Sequence, residues 1–156
     1  RDDIKLIIIG DGVAKTELIE RVRITKTNVN FFDHQTIATV KDAIIKADIG
    51  LVTLRPNIFK YAYPGKVMSY LEQGKPIVTT AEIGSELTKT MIKEGYGFNV
   101  SIFDINGIAK LFINLADDTS WKTKMGQAAL KSYDKHFSRE KILKKWISVL
   151  DNIKEE

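Results

Sequence analysis

Short apolar runs alternate with amphipathic stretches of helical length along almost the whole chain. Leu6–Ile9 is an uninterrupted apolar run closed by Gly10-Asp11-Gly12, the pattern of a strand buried on both faces of a parallel sheet. Ala14, Leu18 and Val22, with Ile19 beside them, recur at helical spacing and predict a helix packed through that stripe. Val29–Phe32 reads as a second strand. A helix from about Thr36 follows, with Ile37, Val40, Ile44 and Ala47 on its inner face, and Asp48 ends it. Ile49–Leu54 is the third strand. After a loop, Pro64-Gly65-Lys66 starts a helix that packs Val67, Tyr70 and Leu71 and stops at Gly74-Lys75-Pro76. Ile77–Thr80 is the fourth strand. Gly84-Ser85 opens a helix with Leu87, Met91 and Ile92, which Gly95 closes. Phe98–Ile102 predicts a short fifth strand, and Asp104 caps a helix striped by Ile105, Ile108, Leu111, Phe112 and Leu115. Two more helices, Ser120 to about His136 and Ser138 to about Ile153, close the chain.

Strands and helices that alternate through short connections predict an α/β fold with one open, parallel, doubly wound sheet. Ligands of such sheets bind beyond the carboxyl ends of the strands. The loops at Gly10–Gly12, Asp33–Thr36, Leu54–Lys66 and Thr80–Ser85 are expected to gather there.

Composition narrows this picture. With 156 residues, 44% hydrophobic and 28% charged, the chain reads as a single globular domain. The longest apolar runs are of strand length, so no membrane span is expected. The absence of cysteine removes disulfides, thiolate zinc sites and cysteine nucleophiles, and fits a reducing compartment. There is no initiator Met and no signal peptide, and a strand begins almost at once, as expected of a piece of a larger protein.

The net charge of +4 is unevenly spread. Between Trp121 and Trp146, Lys122, Lys124, Lys131, Lys135, Arg139, Lys141, Lys144 and Lys145 face only Asp134 and Glu140. A solvated helix face explains this, with attraction to an anionic membrane surface as the functional alternative. No aromatic and basic reading motif suggests nucleic acid.

The segment from Leu54 to Thr80 carries the candidate chemistry. A helix that starts after a loop points backbone N–H groups and the positive end of its dipole at one spot, which suits an anion. Lys66 in the first turn adds a full charge. The alternative is a plain crossover in which Pro64 and Lys66 only shape a turn. Gly10-x-Gly12 after a strand, with Asp33 at the end of the next, invites a dinucleotide site, but Lys15 stands where the third glycine belongs. His34 and His136 are far apart, and no His or carboxylate cluster has the spacing of metal ligands. His34 sits on a ligand-side loop and His136 at a helix end, where a structural role is expected. There is no Asp-x-Asp, no Gly-x-Ser-x-Gly and no phosphate loop of the Gly-x4-Gly-Lys-Ser/Thr kind.

Taken in order, Leu-Ile-Ile-Ile-Gly-Asp-Gly (6–12), Asn-Val-Asn-Phe (28–31), Ala-Asp-Ile-Gly-Leu-Val (47–52), Pro-Gly-Lys-Val-Met-Ser-Tyr-Leu-Glu-Gln-Gly-Lys-Pro-Ile-Val (64–78), Gly-Tyr-Gly-Phe-Asn-Val (95–100) and Lys-Met-Gly-Gln-Ala-Ala (124–129) resemble the C-terminal domain of GT-B glycosyltransferases. The nearest group is the family-4 type of retaining enzymes, especially bacterial members that build surface polysaccharides. The resemblance runs from Lys5 to Ile153. It implies a Rossmann-like, doubly wound parallel sheet forming the C-terminal half of a two-domain hexosyltransferase. That half holds a nucleotide-sugar, and an N-terminal domain supplies a glycan or lipid-linked acceptor.

By the same resemblance, Asp33, His34 and Gln35 match positions near the nucleotide base. Gly10, Gly12, Tyr63, Pro64, Gly65, Lys66 and Val67 match those around the diphosphate and donor sugar. Ser69 matches the ribose position. No metal or other cofactor is implied, and no catalytic residue is assigned within this chain. The expected location is cytoplasmic, with peripheral contact at the inner membrane face left open by the basic stretch.

Three departures stand out. Relatives carry two glutamates where this chain has Tyr61 and Ser69, and the close subgroup has Pro-Ser-Lys where Gly65 stands. The family's Arg and Lys that clamp the diphosphate lie on a segment upstream of the first strand seen here. The 138–153 helix is expected to pack toward the N-terminal domain, and this chain alone is expected to be inactive. A nucleotide-sugar-binding subunit that needs a partner chain is the alternative. A GT-B nucleotide-sugar epimerase is disfavoured for want of an acid-base cluster.

Overall fold

The computed structural model describes residues 1–55 and 63–154. In chain order it contains β1 (Leu6–Ile9), α1 (Lys15–Thr25), β2 (Val29–Phe32), α2 (Ile37–Lys46), β3 (Gly50–Thr53), α3 (Gly65–Glu72), β4 (Ile77–Thr80), α4 (Glu86–Glu94), β5 (Gly97–Asn99), α5 (Ile105–Asp117), α6 (Trp121–His136) and α7 (Arg139–Lys154). The helix starts follow from their caps. The side chains of Thr36, Ser85 and Asp104 accept hydrogen bonds from the N–H groups of Thr39, Thr88 and Gly107. Gly95 closes α4 in the left-handed region at φ 75°. Strand β5 is shorter than the apolar run predicts. Its ladder ends where Val100 N–H bonds the Thr79 carbonyl, and a turn from Ser101 to Asp104 then feeds the α5 cap.

All strand pairs among the described residues are parallel, as the alternating pattern predicts, and their hydrogen bonds fall into two groups. β1 pairs with β2, in register from Leu6 with Val29 to Ile9 with Phe32. β3, β4 and β5 form a separate three-stranded sheet in that order. The expected parallel α/β arrangement is found, with its hydrogen bonds divided between these two groups. Hydrophobic runs report which segments become strands, whereas adjacency depends on which strands exchange hydrogen bonds, and that leaves no periodic trace.

Burial is equally uneven. Val52, Val67, Leu71, Ile77, Leu87, Met91, Tyr96 and Ala129 form the core, drawn from β3, α3, β4, α4, the turn before β5, and α6. No residue before Gly50 is fully buried. The stripe expected to pack α1 stays largely open, with Leu18 and Ile19 43% and 44% exposed. On α5, Leu115 is buried but Ile105 is 78% exposed, so only part of that stripe enters the core.

Helix α6 lies close against α3 because Gly126 has no side chain. A β-carbon there would sit 2.9 Å from the Gly74 carbonyl oxygen. The Lys-Met-Gly-Gln-Ala-Ala stretch is thus a packing surface, with Ala129 fully buried one turn on. Trp121 Nε1 donates to the Leu115 carbonyl at 3.1 Å and fixes the turn between α5 and α6. Helix α7 packs against α6 and leaves Ile142, Leu143, Trp146, Ile147, Val149, Leu150 and Ile153 exposed. None of the helices among the described residues is long and apolar enough to cross a membrane.

One ion cluster ties α4 to α6. Glu94 Oε1 accepts hydrogen bonds from Lys135 Nζ and His136 Nε2, each at 2.7 Å. An ionised carboxylate only accepts, so Nε2 carries the proton. Burial pushes the Glu94 carboxyl up, but Lys135, the Ser132 hydroxyl and His136 together outweigh it and hold it at about 2. A depressed folded-state value contributes stability above the ordinary carboxylate range, and that contribution is lost as pH falls toward 2. Glu94→Gln is therefore expected to cost about 1.5–3 kcal/mol at neutral pH, the range for hydrogen bonds to a charged group. The cost should shrink steadily in urea melts taken below pH 4.5, the ordinary value for the group. A cost that does not change with pH would show that packing, not charge, sets the contribution of Glu94.

Candidate functional site

Helix α3 begins at Gly65 with an N-terminus that is chemically open. Pro64 occupies the N-cap position and offers no side-chain cap. The Val67 N–H bonds the Pro64 carbonyl, while those of Gly65 and Lys66 have no such internal acceptor. A β-carbon built on Gly65 would meet nothing within 4 Å, so a ligand can approach the backbone closely. Lys66 is exposed, and its ammonium has no hydrogen bond or ion pair among the described residues. Two amides and an ammonium without a partner among the described residues therefore lie in the first turn of α3, at the positive end of its dipole.

The flanking residues anchor this spot. Val67 is fully buried, so it enters the core and its side chain is not available to a ligand. Tyr63 packs against the same core with its hydroxyl buried. Both hold the helix start in place from behind. Ser69 is exposed one turn along α3. The nearby Glu72 is taken up structurally, accepting from Gln73 Nε2 at 3.1 Å and facing Lys41 on α2 at 4.0 Å. Tyr61, the other departure from the family pattern, lies outside the described residues.

A second group forms at the carboxyl ends of β1 and β2. Gly10 adopts φ 135°, a conformation open to glycine, and Gly12 has empty space where a β-carbon would stand. The Lys15 ammonium hydrogen-bonds Asp33 and also faces Asp11 at 4.0 Å, so it joins the Gly10–Gly12 turn to the end of β2. That hydrogen bond holds the Asp33 carboxyl below its usual range and the Lys15 ammonium above its own. His34 and Gln35 are exposed beside it, with Gln35 Nε2 donating to the Asp33 carbonyl at 3.2 Å. Asp33, His34, Gln35, Gly10 and Gly12 are thus brought together. No hydrogen bond or ion pair among the described residues joins them to Gly65 and Lys66.

The pattern of the chain singles out Lys15 only as the residue that breaks a glycine motif. Its placement four residues after Asp11, at a helix start facing the acid that ends the neighbouring strand, is the signal for its bridging role. Among the described residues no group of three His, Asp or Glu side chains is placed to hold a metal ion.

The sequence matches the family described as glycosyl transferases group 1 over residues 1–118. It is 25% identical over 137 residues to the probable glycosyltransferase WbjE of Pseudomonas aeruginosa, covering 85% of this chain and 34% of that protein. The chain therefore spans about a third of this curated relative. Among solved structures, HepE of Anabaena in complex with UDP superimposes with a TM-score of 0.77 at 17% identity, covering 96% of this chain and 41% of HepE. WaaG, a glycosyltransferase involved in lipopolysaccharide biosynthesis, gives 0.63 at 18% identity over 85% of this chain and 34% of its own. TarM gives 0.74 at 18% identity, covering 93% of this chain and 28% of TarM. The fold is that of the GT-B glycosyltransferases, and the match over residues 1–118 makes this chain a member of the glycosyl transferases group 1 family.

Proposed function

We propose that this chain is the donor half of a retaining, family-4 type hexosyltransferase that builds a surface polysaccharide. It holds a nucleotide-sugar whose sugar passes to a glycan or lipid-linked acceptor on a further domain. The observation that carries this reading is the uncapped start of α3, where the Gly65 and Lys66 amides and the Lys66 ammonium have no partner among the described residues and a β-carbon on Gly65 would meet nothing within 4 Å. As a glycosidic bond to a nucleoside diphosphate breaks, negative charge builds on the departing diphosphate. Fixed N–H donors and a cation stabilise that charge without reorganising. A metal is not needed for that task, and we assign none.

In this reading Asp33, His34 and Gln35 face the base, Gly10 and Gly12 leave room for the phosphates, and Ser69 faces the ribose. HepE has been crystallised with both UDP and UDP-glucose, and WaaG takes part in lipopolysaccharide synthesis, which supports the class of donor and product. The exposed apolar side of α7 favours a second protein surface, on an acceptor domain or, in the subunit reading, on a partner chain. The enzyme would work in the cytoplasm, at the inner membrane face where its acceptor is lipid-linked.

A thermal-shift panel of UDP, GDP, ADP and CMP with their sugars tests the reading, because a ligand that binds only the folded state raises its stability. At least one nucleoside diphosphate should stabilise the chain; no response from any member would contradict the proposal. Acting alone, the chain should transfer no sugar to a lipid or glycan acceptor, and transfer detected by product analysis would show that it needs no acceptor domain. Serine at position 69 offers a short arm where a carboxylate could accept from both ribose hydroxyls. Ser69→Glu should tighten binding of the nucleoside diphosphate by about 1–2 kcal/mol and leave the 2′,3′-dideoxy analogue unaffected. An equal response of both ligands in titration calorimetry would remove Ser69 from the ribose site.

A further inference from the structure

The start of α3 is held by side chains from the far side of the core. Tyr63 immediately precedes Pro64-Gly65-Lys66, and its ring packs on Phe137 with centroids 5.6 Å apart and planes tilted by 38°. Phe137 is the residue on which α6 ends, and α7 starts two positions later at Arg139. The rings of His136 and Phe137 are 6.0 Å apart, which ties this elbow to the Glu94 ion cluster. The Tyr63 hydroxyl lies beside that of Tyr96, which is fully buried and next to Ser132 and Glu94. Tyr63 Oη, Tyr96 Oη, Ser132 Oγ and Glu94 Oε2 are all buried and lie near one another.

We propose that Tyr63 and Phe137 are positioning residues that seat the start of α3 on the elbow between α6 and α7. The packing of that elbow then sets where the Gly65 and Lys66 N–H groups meet a nucleoside diphosphate. This deepens the donor-site reading and rests on it for the ligand. It also gives α7 a physical route to the site: anything that shifts α7 moves Phe137, and Phe137 bears on the residue next to Pro64. Neither aromatic side chain has to touch the ligand for the site to depend on it.

Phe137→Leu keeps the elbow apolar and removes the ring, and Tyr63→Leu makes the same change from the loop side. In either variant, hydrogen exchange at the Val67 amide, which bonds the Pro64 carbonyl, should accelerate while Val78 in β4 stays protected. Affinity for UDP should fall about three- to tenfold, the scale of one aromatic pair, with affinity for uridine unchanged. Phe137→Tyr should restore both readouts. Faster exchange at Val78 to the same degree, equal losses for UDP and uridine, or no rescue by tyrosine would reduce the pair to ordinary core packing and overturn the proposal. The exchange readout needs no nucleotide. A chain that failed to bind UDP would therefore refute the donor site, and exchange at Val67 would still decide the positioning role.

Discussion

Leu71→Ala is expected to destabilise the chain by about 2–5 kcal/mol, the range for emptying a fully buried leucine site. Leu71 has no exposed surface and lies in the core formed by β3, α3, β4, α4 and α6. That site cannot collapse easily, because Gly126 already brings α6 against the Gly74 carbonyl. The same change at Leu150 on α7, which is 52% exposed, should cost no more than about 0.5 kcal/mol, as usual for open surface positions. Urea melts of the two variants test where the core is. Equal costs would mean that α7 is buried in solution, by self-association or by folding back onto the domain. The Leu71 result also bears on function, since the helix it anchors is the one that presents Lys66.

Lys66→Ala should weaken nucleoside diphosphate binding by about 1.5–3 kcal/mol, the range for hydrogen bonds to charged groups. Binding of the bare nucleoside should barely change. The expectation follows from the exposure of Lys66, whose ammonium has no partner among the described residues to lose when a phosphate arrives. Lys15 makes a useful contrast because Asp33 and Asp11 already hold it. Its loss should loosen the turns after β1 and β2 more than it removes phosphate affinity. Calorimetric titration with UDP and uridine separates the two cases. If Lys66→Ala weakens both ligands alike, Lys66 shapes the loop and does not neutralise the diphosphate.

The elements were legible because local chemistry sets them. Asp104 caps the helix it was expected to cap, Thr36 and Ser85 cap the helices expected to begin at them, and Gly95 stops α4 as a left-handed glycine should. The uncapped start of α3 was legible for the same reason, since a proline followed by glycine and lysine leaves its amides free. What stayed hidden depends on distant partners. Nothing in the run Leu6–Ile9 reveals that β1 pairs with β2 and stands apart from β3. The α1 stripe is amphipathic in sequence, yet Leu18 and Ile19 remain exposed. Val67 and Tyr63 match family positions near the donor, but their side chains turn into the core, because the first helical turn must bury one face to hold the other open. The bridge from Lys15 to Asp33 could not be read as a pair until two adjacent strands brought their ends together.

The central claim is that the open start of α3 and the glycine turn after β1 together hold the diphosphate of a nucleotide-sugar. Mapping backbone amide shifts by NMR while UDP is titrated into the chain tests this most directly. The account predicts saturable shifts that are largest at Gly65 and Lys66, with a second set at Gly10 and Gly12, and little change along α7. Shifts confined to the basic surface of α6 and α7, or no saturable shift at Gly65 and Lys66, would contradict it.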